Sequence, residues 1–82
     1  MDSTTVAATV TQTVAATVRG IIAESGRSQS SLAEQSGIPR VTLRRRLAAQ
    51  SPFTVQELAD IGDALNVSVV DIIKRSHALI AA

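Results

Sequence analysis

The chain has 82 residues, a net charge of +1, 45% apolar residues and a single aromatic side chain. This length predicts one domain over residues 1–82 with a shallow aliphatic core. The absence of cysteine excludes disulfides and thiolate metal sites, and we expect no cofactor and no small-molecule ligand. No uninterrupted apolar run approaches the roughly 20 residues that span a bilayer, and the start lacks a basic signal region, so a cytoplasmic protein without membrane contact is expected.

The first predicted helix covers about residues 4–25 and contains a repeated V-A-A-T-V segment. Valine recurs at every fourth position from Val6 to Val18, and Ile22 continues the series, which places one apolar stripe along the helix. The β-branched residues lower helix propensity, but strand alternation fails at the A-A pairs. We expect the stripe to pack in the core, with a dimer seam as the alternative. The turns before about Val14 are expected to fray or to serve another purpose.

A tight Gly-Ile-Pro turn at residues 37–39 joins two short helices, so residues 28–49 are predicted to form a helix-turn-helix. Ser28 is a suitable N-cap for the first helix, which should end near Ser36. Gly37 then supplies the left-handed residue that terminates it.

The second helix of the pair, from Arg40 to about Ala49, carries four of the chain's eight basic residues. On a helical wheel Leu43 and Leu47 point to the core, and Val41 and Arg45 lie on the opposite side. An arginine-rich helix braced by a partner helix suits insertion into a DNA major groove.

Charge is unevenly distributed along the chain. Residues 25–50 contain five arginines and one glutamate, a net +4, whereas residues 51–73 contain four acidic residues and no basic one, a net −4. One side of the molecule should therefore attract phosphate and another should repel it.

The fourth predicted helix has a well-marked start and end. Thr54 and Glu57 have the spacing of a capping box, and Phe53 and Leu58 have that of its hydrophobic staple. Asn66 suits the turn that ends the helix.

The last predicted helix runs from Val69 to near Ala81, with Ser68 as its cap. The residues expected along one side of it are Val69, Ile72, Ile73, Ser76 and Ile80. The sequence thus predicts an all-α fold of five helices.

Three segments in this order resemble the lambda-repressor-like helix-turn-helix family, which includes Cro-type and Xre-type regulators. They are S-Q-S-S-L-A-E-Q-S-G-I at 28–38, T-L-R-R at 42–45 and L-A-D-I-G-D-A-L-N-V-S at 58–68. The similar region extends roughly from residue 21 to residue 73. The resemblance implies a compact five-helix DNA-binding domain, and the chain looks like a small phage or actinobacterial regulator.

The resemblance also implies a division of labour between the two helices of the motif. Gln29, at the start of the first, would hydrogen-bond a phosphate, whereas an arginine of the second would grip guanine and Val41 would contact a thymine methyl. The expected DNA-contacting residues are Ser28, Gln29, Arg40, Val41, Thr42, Arg44, Arg45 and Arg46.

Two residues depart from the family pattern. Pro39 stands where the family usually has a Ser or Thr cap, so the second helix lacks a capping oxygen. Arg46 stands where the family has an aliphatic core residue, and Leu47 takes over the packing. We expect Arg46 at the helix edge with its head near the DNA backbone or in solvent. The rotation of this helix therefore stays open by up to one residue.

These observations predict a sequence-specific transcriptional regulator of double-stranded DNA, most simply a repressor, in the bacterial nucleoid or host cytoplasm. Because a single short motif buries little DNA surface, a homodimer is expected through the last helix with Leu79 and Ile80, the first stripe, or both. The alternative is an antitoxin-like protein-interaction module. An enzyme is not expected, because the chain has one His and no Cys or Tyr.

Overall fold

The structure is a computed structural model that describes the backbone of residues 3–81 and the side chains of residues 6–80. Within that range it contains five α-helices and no strand, which confirms the all-α prediction. The helices are α1 (Ser3–Ser25), α2 (Gln29–Ser36), α3 (Arg40–Leu47), α4 (Val55–Leu65) and α5 (Val69–Ala81). α1 makes its most extensive contact with α5 and also touches α3 and α4, while α2 packs against both α3 and α4.

Every helix contributes a fully buried valine, leucine or isoleucine to a single core. These residues are Val18, Leu32, Leu43, Ile61 and Ile72, in the order of the helices. Burying such a side chain contributes about 1.5–3 kcal/mol relative to leaving it exposed. The five helices therefore share one aliphatic centre, as the composition predicts.

α1 has a buried half and an exposed half. Val18 and Ile22 belong to the core, but Val10 is 42% exposed and Val6 is 47% exposed. The stripe therefore packs against the core only from Val14 onward, and the turns before Val14 differ from the rest, as expected. The reason is length, since 23 residues extend about 35 Å and the 13 residues of α5 only about 20 Å.

The segment Val6–Ser25 is also long and apolar enough to cross a membrane by length and composition alone, with a mean hydropathy of 1.3. The segment contains no uninterrupted apolar run of that length, so the result reflects its length and average composition alone. Threonine and glycine interrupt the apolar run but lower its mean hydropathy only slightly. The charged residues of the segment are Arg19 and Glu24. A core helix of a soluble protein passes the same test, and the second half of α1 lies in the core.

Two buried hydroxyl groups connect α1 and α5. Ser76 Oγ donates to Thr17 Oγ1 at 3.0 Å, and Thr17 Oγ1 donates to the carbonyl oxygen of Thr13 at 3.0 Å. Ser76 Oγ also lies 2.9 Å from the carbonyl oxygen of Ile72 in its own helix. The pair is therefore a buried polar contact that favours the observed register of the two helices.

The buried side of α5 is narrower than predicted. Ile72 and Ser76 are buried, whereas Ile73 is 49% exposed and Ile80 is 43% exposed. These two isoleucines border the exposed half of α1, where no other described element covers them. The expected apolar side is thus partly an open surface.

α3 ends at Leu47, two residues before the predicted end. Ala49 adopts a left-handed φ of +59°. The N–H of Ala49 donates to Arg46 O, and that of Gln50 donates to Arg45 O, both at 3.0 Å. This is the Schellman pattern of helix termination, with alanine where glycine is usual.

Gly62 allows the chain to fold closely back from α4 to α5. A Cβ at this position would lie 2.2 Å from the carbonyl oxygen of Val67, and the N–H of Val67 donates to Gly62 O at 2.9 Å. Asn66, as predicted, is the left-handed residue of this turn, with φ +59°. The absence of a side chain at 62 is therefore required for this close approach.

Candidate nucleic-acid interface

The start of α2 presents main-chain donors to the surface. Ser28 caps the helix, and its Oγ accepts a hydrogen bond from the N–H of Ser31 at 3.1 Å. The first N–H groups of a helix have no intrahelical acceptor, so those of Gln29 and Ser30 remain available. Such a helix start is suited to binding an anion.

α3 is oriented as the helical wheel predicts. Leu43 and Leu47 are 1% and 3% exposed, while Val41 on the opposite side is 54% exposed. Pro39 precedes the helix without a side-chain cap, as expected. Leu43 and Leu47 thus fix which side of α3 faces solvent.

We call the exposed side of α3 its outer face; it consists of Arg40, Val41, Arg44 and Arg45, with the half-buried Thr42 at its edge. Within residues 6–80, the three guanidinium groups of this face form no hydrogen bond or ion pair. Their positive charge is therefore uncompensated within the described part of the chain. An external anion can bind them without displacing a protein partner.

A cleft of about 160 Å³ joins the start of α2 to the outer face. The residues that line it are Ser28, Gln29, Ser30, Arg40, Leu43 and Arg44. The structure thus brings predicted residues from both helices of the motif together. Ser30 also lines the cleft, although it was not predicted as a site residue. Its place in the first turn after the capping Ser28 is the sequence signal that could have indicated it.

Arg46 lies elsewhere than expected. Its Nε donates to Glu57 Oε1 at 2.9 Å and its Nη2 to Glu57 Oε2 at 3.3 Å, and its Nη1 donates to Ser51 Oγ. The guanidinium therefore faces the start of α4 instead of solvent or the helix edge. Arg46 therefore does not belong to the free guanidinium groups of the outer face.

The carboxylate that holds Arg46 has a perturbed pKa. Burial acts to raise the pKa of Glu57, but hydrogen bonds from Arg46 and from the N–H of Thr54 more than offset it, and the net pKa is lowered from its ordinary value. Glu57 consequently remains negatively charged in the folded protein at neutral pH.

Two further arginines hold main-chain carbonyls of neighbouring helices. Arg19 of α1 donates through Nη1 to Leu47 O at the end of α3. Arg27 donates to Ala64 O near the end of α4 and to Gln35 Oε1. The carbonyl acceptors lie 28 and 37 positions away in sequence, so no local pattern could predict these contacts.

A helix-turn-helix family model matches residues 18–72, a range that contains α2, α3, α4 and the cleft. The chain belongs to this family. It is therefore a DNA-binding transcriptional regulator and not an enzyme. No curated protein has a significant sequence match to it.

A solved structure with the same fold is that of the clp gene regulator ClgR from Corynebacterium glutamicum. It superposes with a TM-score of 0.81 at 24% identity, covering 88% of this chain and 77% of that one. At this identity the likeness supports the arrangement of the helices alone.

Proposed function

We propose that the outer face of α3 enters the major groove of double-stranded DNA and that the chain is a sequence-specific repressor. The observation that carries the proposal is the set of three exposed guanidinium groups without protein partners, on one side of one short helix. Arginine binds the O6 and N7 atoms of guanine with two parallel hydrogen bonds. A repressor requires only that the bound protein block access to a promoter.

The side chains of the outer face have different proposed roles. Arg44 and Arg45 contact base edges, and Val41 lies against a thymine methyl group. Thr42, at the edge of the face, contacts a base or the backbone. Arg40, at the first position of α3, lines the cleft and is close to the rim of the groove.

The start of α2 is proposed to hold a phosphate group. Gln29 and the free N–H groups of the first turn face the cleft that Arg40 and Arg44 also line. The Ser28 hydroxyl accepts from Ser31 and still has a proton to donate to a phosphate oxygen. Contacts of this kind position the protein along the duplex but do not read sequence.

The uneven charge distribution supports this orientation. The acidic residues of α4 and α5 follow the basic helix-turn-helix in sequence and give residues 51–73 a net −4. Glu57 and Asp71 are ion-paired with arginines, so it is mainly Asp60 and Asp63 of α4 that repel phosphate and disfavour approach from that side. We propose that the protein acts in the cytoplasm of a bacterium, on bacterial or phage DNA.

We also propose that the chain binds its operator as a homodimer. A single short motif buries little DNA surface, and specific binding usually needs two half-sites. The surface proposed for the second copy is an apolar groove of about 330 Å³ between the exposed half of α1 and α5. Val10, Phe53, Ile73 and Ile80 are among its lining residues.

Sedimentation of a charged variant tests the dimer. Ile80→Glu should convert a dimer into a monomer, because a carboxylate would be buried in the apolar interface. The matched control is Val70→Glu, at a residue that is 56% exposed and does not line the groove. A wild-type monomer on an asymmetric site would refute the dimer without affecting the DNA assignment.

Binding selection from random duplexes tests the main proposal. We expect a short enriched sequence containing guanine, and an affinity that falls steeply with salt because phosphate contacts release counterions. An enriched site with two inverted halves would support the dimer. Failure to enrich any duplex would contradict the proposal.

The second candidate function is an antitoxin-like protein-interaction module, favoured by the same apolar groove. Val10 and Ile80 line it, and Val6 on α1 and Leu79 on α5 are further exposed apolar side chains; the apolar tail that suggested this function ends at residues 81 and 82, whose side chains lie outside the described residues. This candidate predicts a stoichiometric protein partner and no salt-sensitive affinity for DNA.

A further inference from the structure

The C-terminal end of α3 is tied to the start of α4 by one carboxylate. Glu57 Oε1 accepts from Arg46 Nε at 2.9 Å and also from the N–H of Thr54 at 2.9 Å. The Glu57 N–H in turn donates to Thr54 Oγ1 at 3.0 Å, completing the capping box. The same atom therefore caps α4 and holds a side chain of α3.

The two partners are largely shielded from water. The Arg46 side chain is 22% exposed and that of Glu57 is 16% exposed. A guanidinium and a carboxylate that share two hydrogen bonds fix relative angle as well as distance, because both groups are planar. Arg46 Nη1 also donates to Ser51, so the pair is connected to the loop between α3 and α4 as well.

α3 depends on such contacts for its position. It has eight residues and no side-chain cap at its start, and a helix of this length is not stable by itself. Leu43 and Leu47 fix which side of it is buried, but aliphatic contacts alone leave room for small rotations about the helix axis. The Arg46–Glu57 pair resists that rotation.

We propose that Arg46 and Glu57 form a lock that sets the rotation of α3, and that Arg46 is a positioning residue for DNA recognition and not a phosphate contact. This inference rests on the function proposed above. Rotating an eight-residue helix displaces the guanidinium groups of Arg44 and Arg45 relative to base edges. The lock therefore acts on affinity without touching DNA.

The competing role for Arg46 makes an opposite prediction about Glu57. To reach a phosphate, Arg46 would have to leave the carboxylate, which would then be a partly buried charge without its partner. Removing the Glu57 charge would free Arg46 and reduce repulsion from DNA, so binding would tighten. The lock predicts that binding weakens.

The test compares Arg46→Gln, Glu57→Gln and the double variant on the duplex enriched by selection, over a range of salt concentrations. Each single variant should bind about tenfold more weakly, and the double variant no more weakly than either single one, because both remove one interaction. The slope of log affinity against log salt should stay unchanged. Loss of a phosphate contact would lower that slope by about one.

Two controls separate the lock from general effects. Asp60→Asn removes the same charge from α4, where Asp60 accepts only from Gln56, and should leave affinity unchanged or slightly increased. Arg46→Lys keeps the charge but loses the planar fork, so it should weaken binding if Arg46 positions α3. A phosphate contact would tolerate lysine.

Several results would overturn the inference. Glu57→Gln binding as tightly as wild type would do so, as would a reduced salt slope for Arg46→Gln. Should the glutamine variant of Arg46 fail to fold, the lysine variant decides alone. If the wild-type protein enriches no duplex, the DNA proposal fails, but the lock can still be tested by thermal unfolding. Additive effects of Arg46→Gln and Glu57→Gln on stability would refute it.

Discussion

The outer face of α3 and the contacts that support that helix use arginine in opposite ways. On the outer face, Arg40, Arg44 and Arg45 have no partner among the described residues. On the supporting side, Arg19 and Arg46 donate to a carbonyl and a carboxylate that belong to the protein. Arg44, Arg45 and Arg46 are consecutive in sequence, but only Arg46 reaches the start of α4, so its role differs from that of the other two. Position in the fold, and not residue type, decides which charge is free to bind DNA.

The largest effect is expected from a substitution that removes packing beneath α3 and leaves its outer face unchanged. Leu43→Ala should lower the free energy of unfolding by about 2–5 kcal/mol through lost burial and a cavity. Val41→Ala is the matched control on the opposite side and should change stability by less than about 0.5 kcal/mol. Thermal unfolding followed by circular dichroism measures both. Equal melting temperatures would show that Leu43 does not anchor α3.

A second substitution tests the supporting side at α4. Gly62→Ala should destabilise the fold by about 1–3 kcal/mol or more, because the new methyl group meets a carbonyl oxygen of the backbone at 2.2 Å. Gly20→Ala is the control, since nothing lies within 4 Å of its added Cβ. That change should stabilise α1 by about 0.5–1 kcal/mol. Denaturant unfolding measures the change in the free energy of unfolding for both variants. A change of the same sign in both would contradict the close approach at Gly62.

The outer face is tested by binding and not by stability. Arg44→Ala or Arg45→Ala should weaken specific binding by about 1–3 kcal/mol and relax preference at one base position. Lys74→Ala removes an exposed positive charge from α5 and should weaken binding to all duplexes only slightly. An equal loss on every sequence would make the substituted arginine a phosphate contact.

A smaller effect is expected where α3 ends. Ala49→Gly should stabilise the fold by up to about 1 kcal/mol, because the left-handed conformation at φ +59° is strained for a residue with a Cβ. Ala48→Gly, at a neighbour with φ −82°, should not stabilise it. The melting temperatures of the two variants, compared with that of the wild type, measure this difference in stability.

The smallest effect is the pH dependence of the supporting ion pair. Because the folded pKa of Glu57 is lowered from its ordinary value of 4.5, its stabilisation is fully present above that value and is lost as pH falls through the folded pKa. The difference in melting temperature between wild type and Glu57→Gln should therefore be constant near neutral pH and shrink in acid. A difference that stayed constant down to pH about 3 would contradict the assigned cause of the shift.

Local signals predicted the helix boundaries because the relevant contacts are close in sequence. Thr54 and Glu57 form the predicted capping box, and Gly37 and Asn66 adopt the predicted left-handed turns. The side of α3 that faces solvent also followed from helical spacing. The predicted end of α3 was two residues late, because alanine gives no sign that it will adopt a left-handed φ.

Long-range contacts could not be predicted in this way. Arg46 meets Glu57 because the intervening loop turns α4 back toward α3, and nothing in the spacing of 11 residues indicates that path. Arg19 reaches Leu47 across 28 positions. Val6 and Val10 continue the apolar stripe without change, so their exposure follows only from the shorter length of α5.

The hydroxyl pair of Thr17 and Ser76 has a practical consequence for the first turns of α1. Since the pair holds α1 against α5 at Thr17, a change at Val6 should not shift Arg19, which contacts the end of α3. Val6 lies about 20 Å along the helix axis from Arg19. A fluorophore attached at Val6 would therefore lie remote from the outer face of α3.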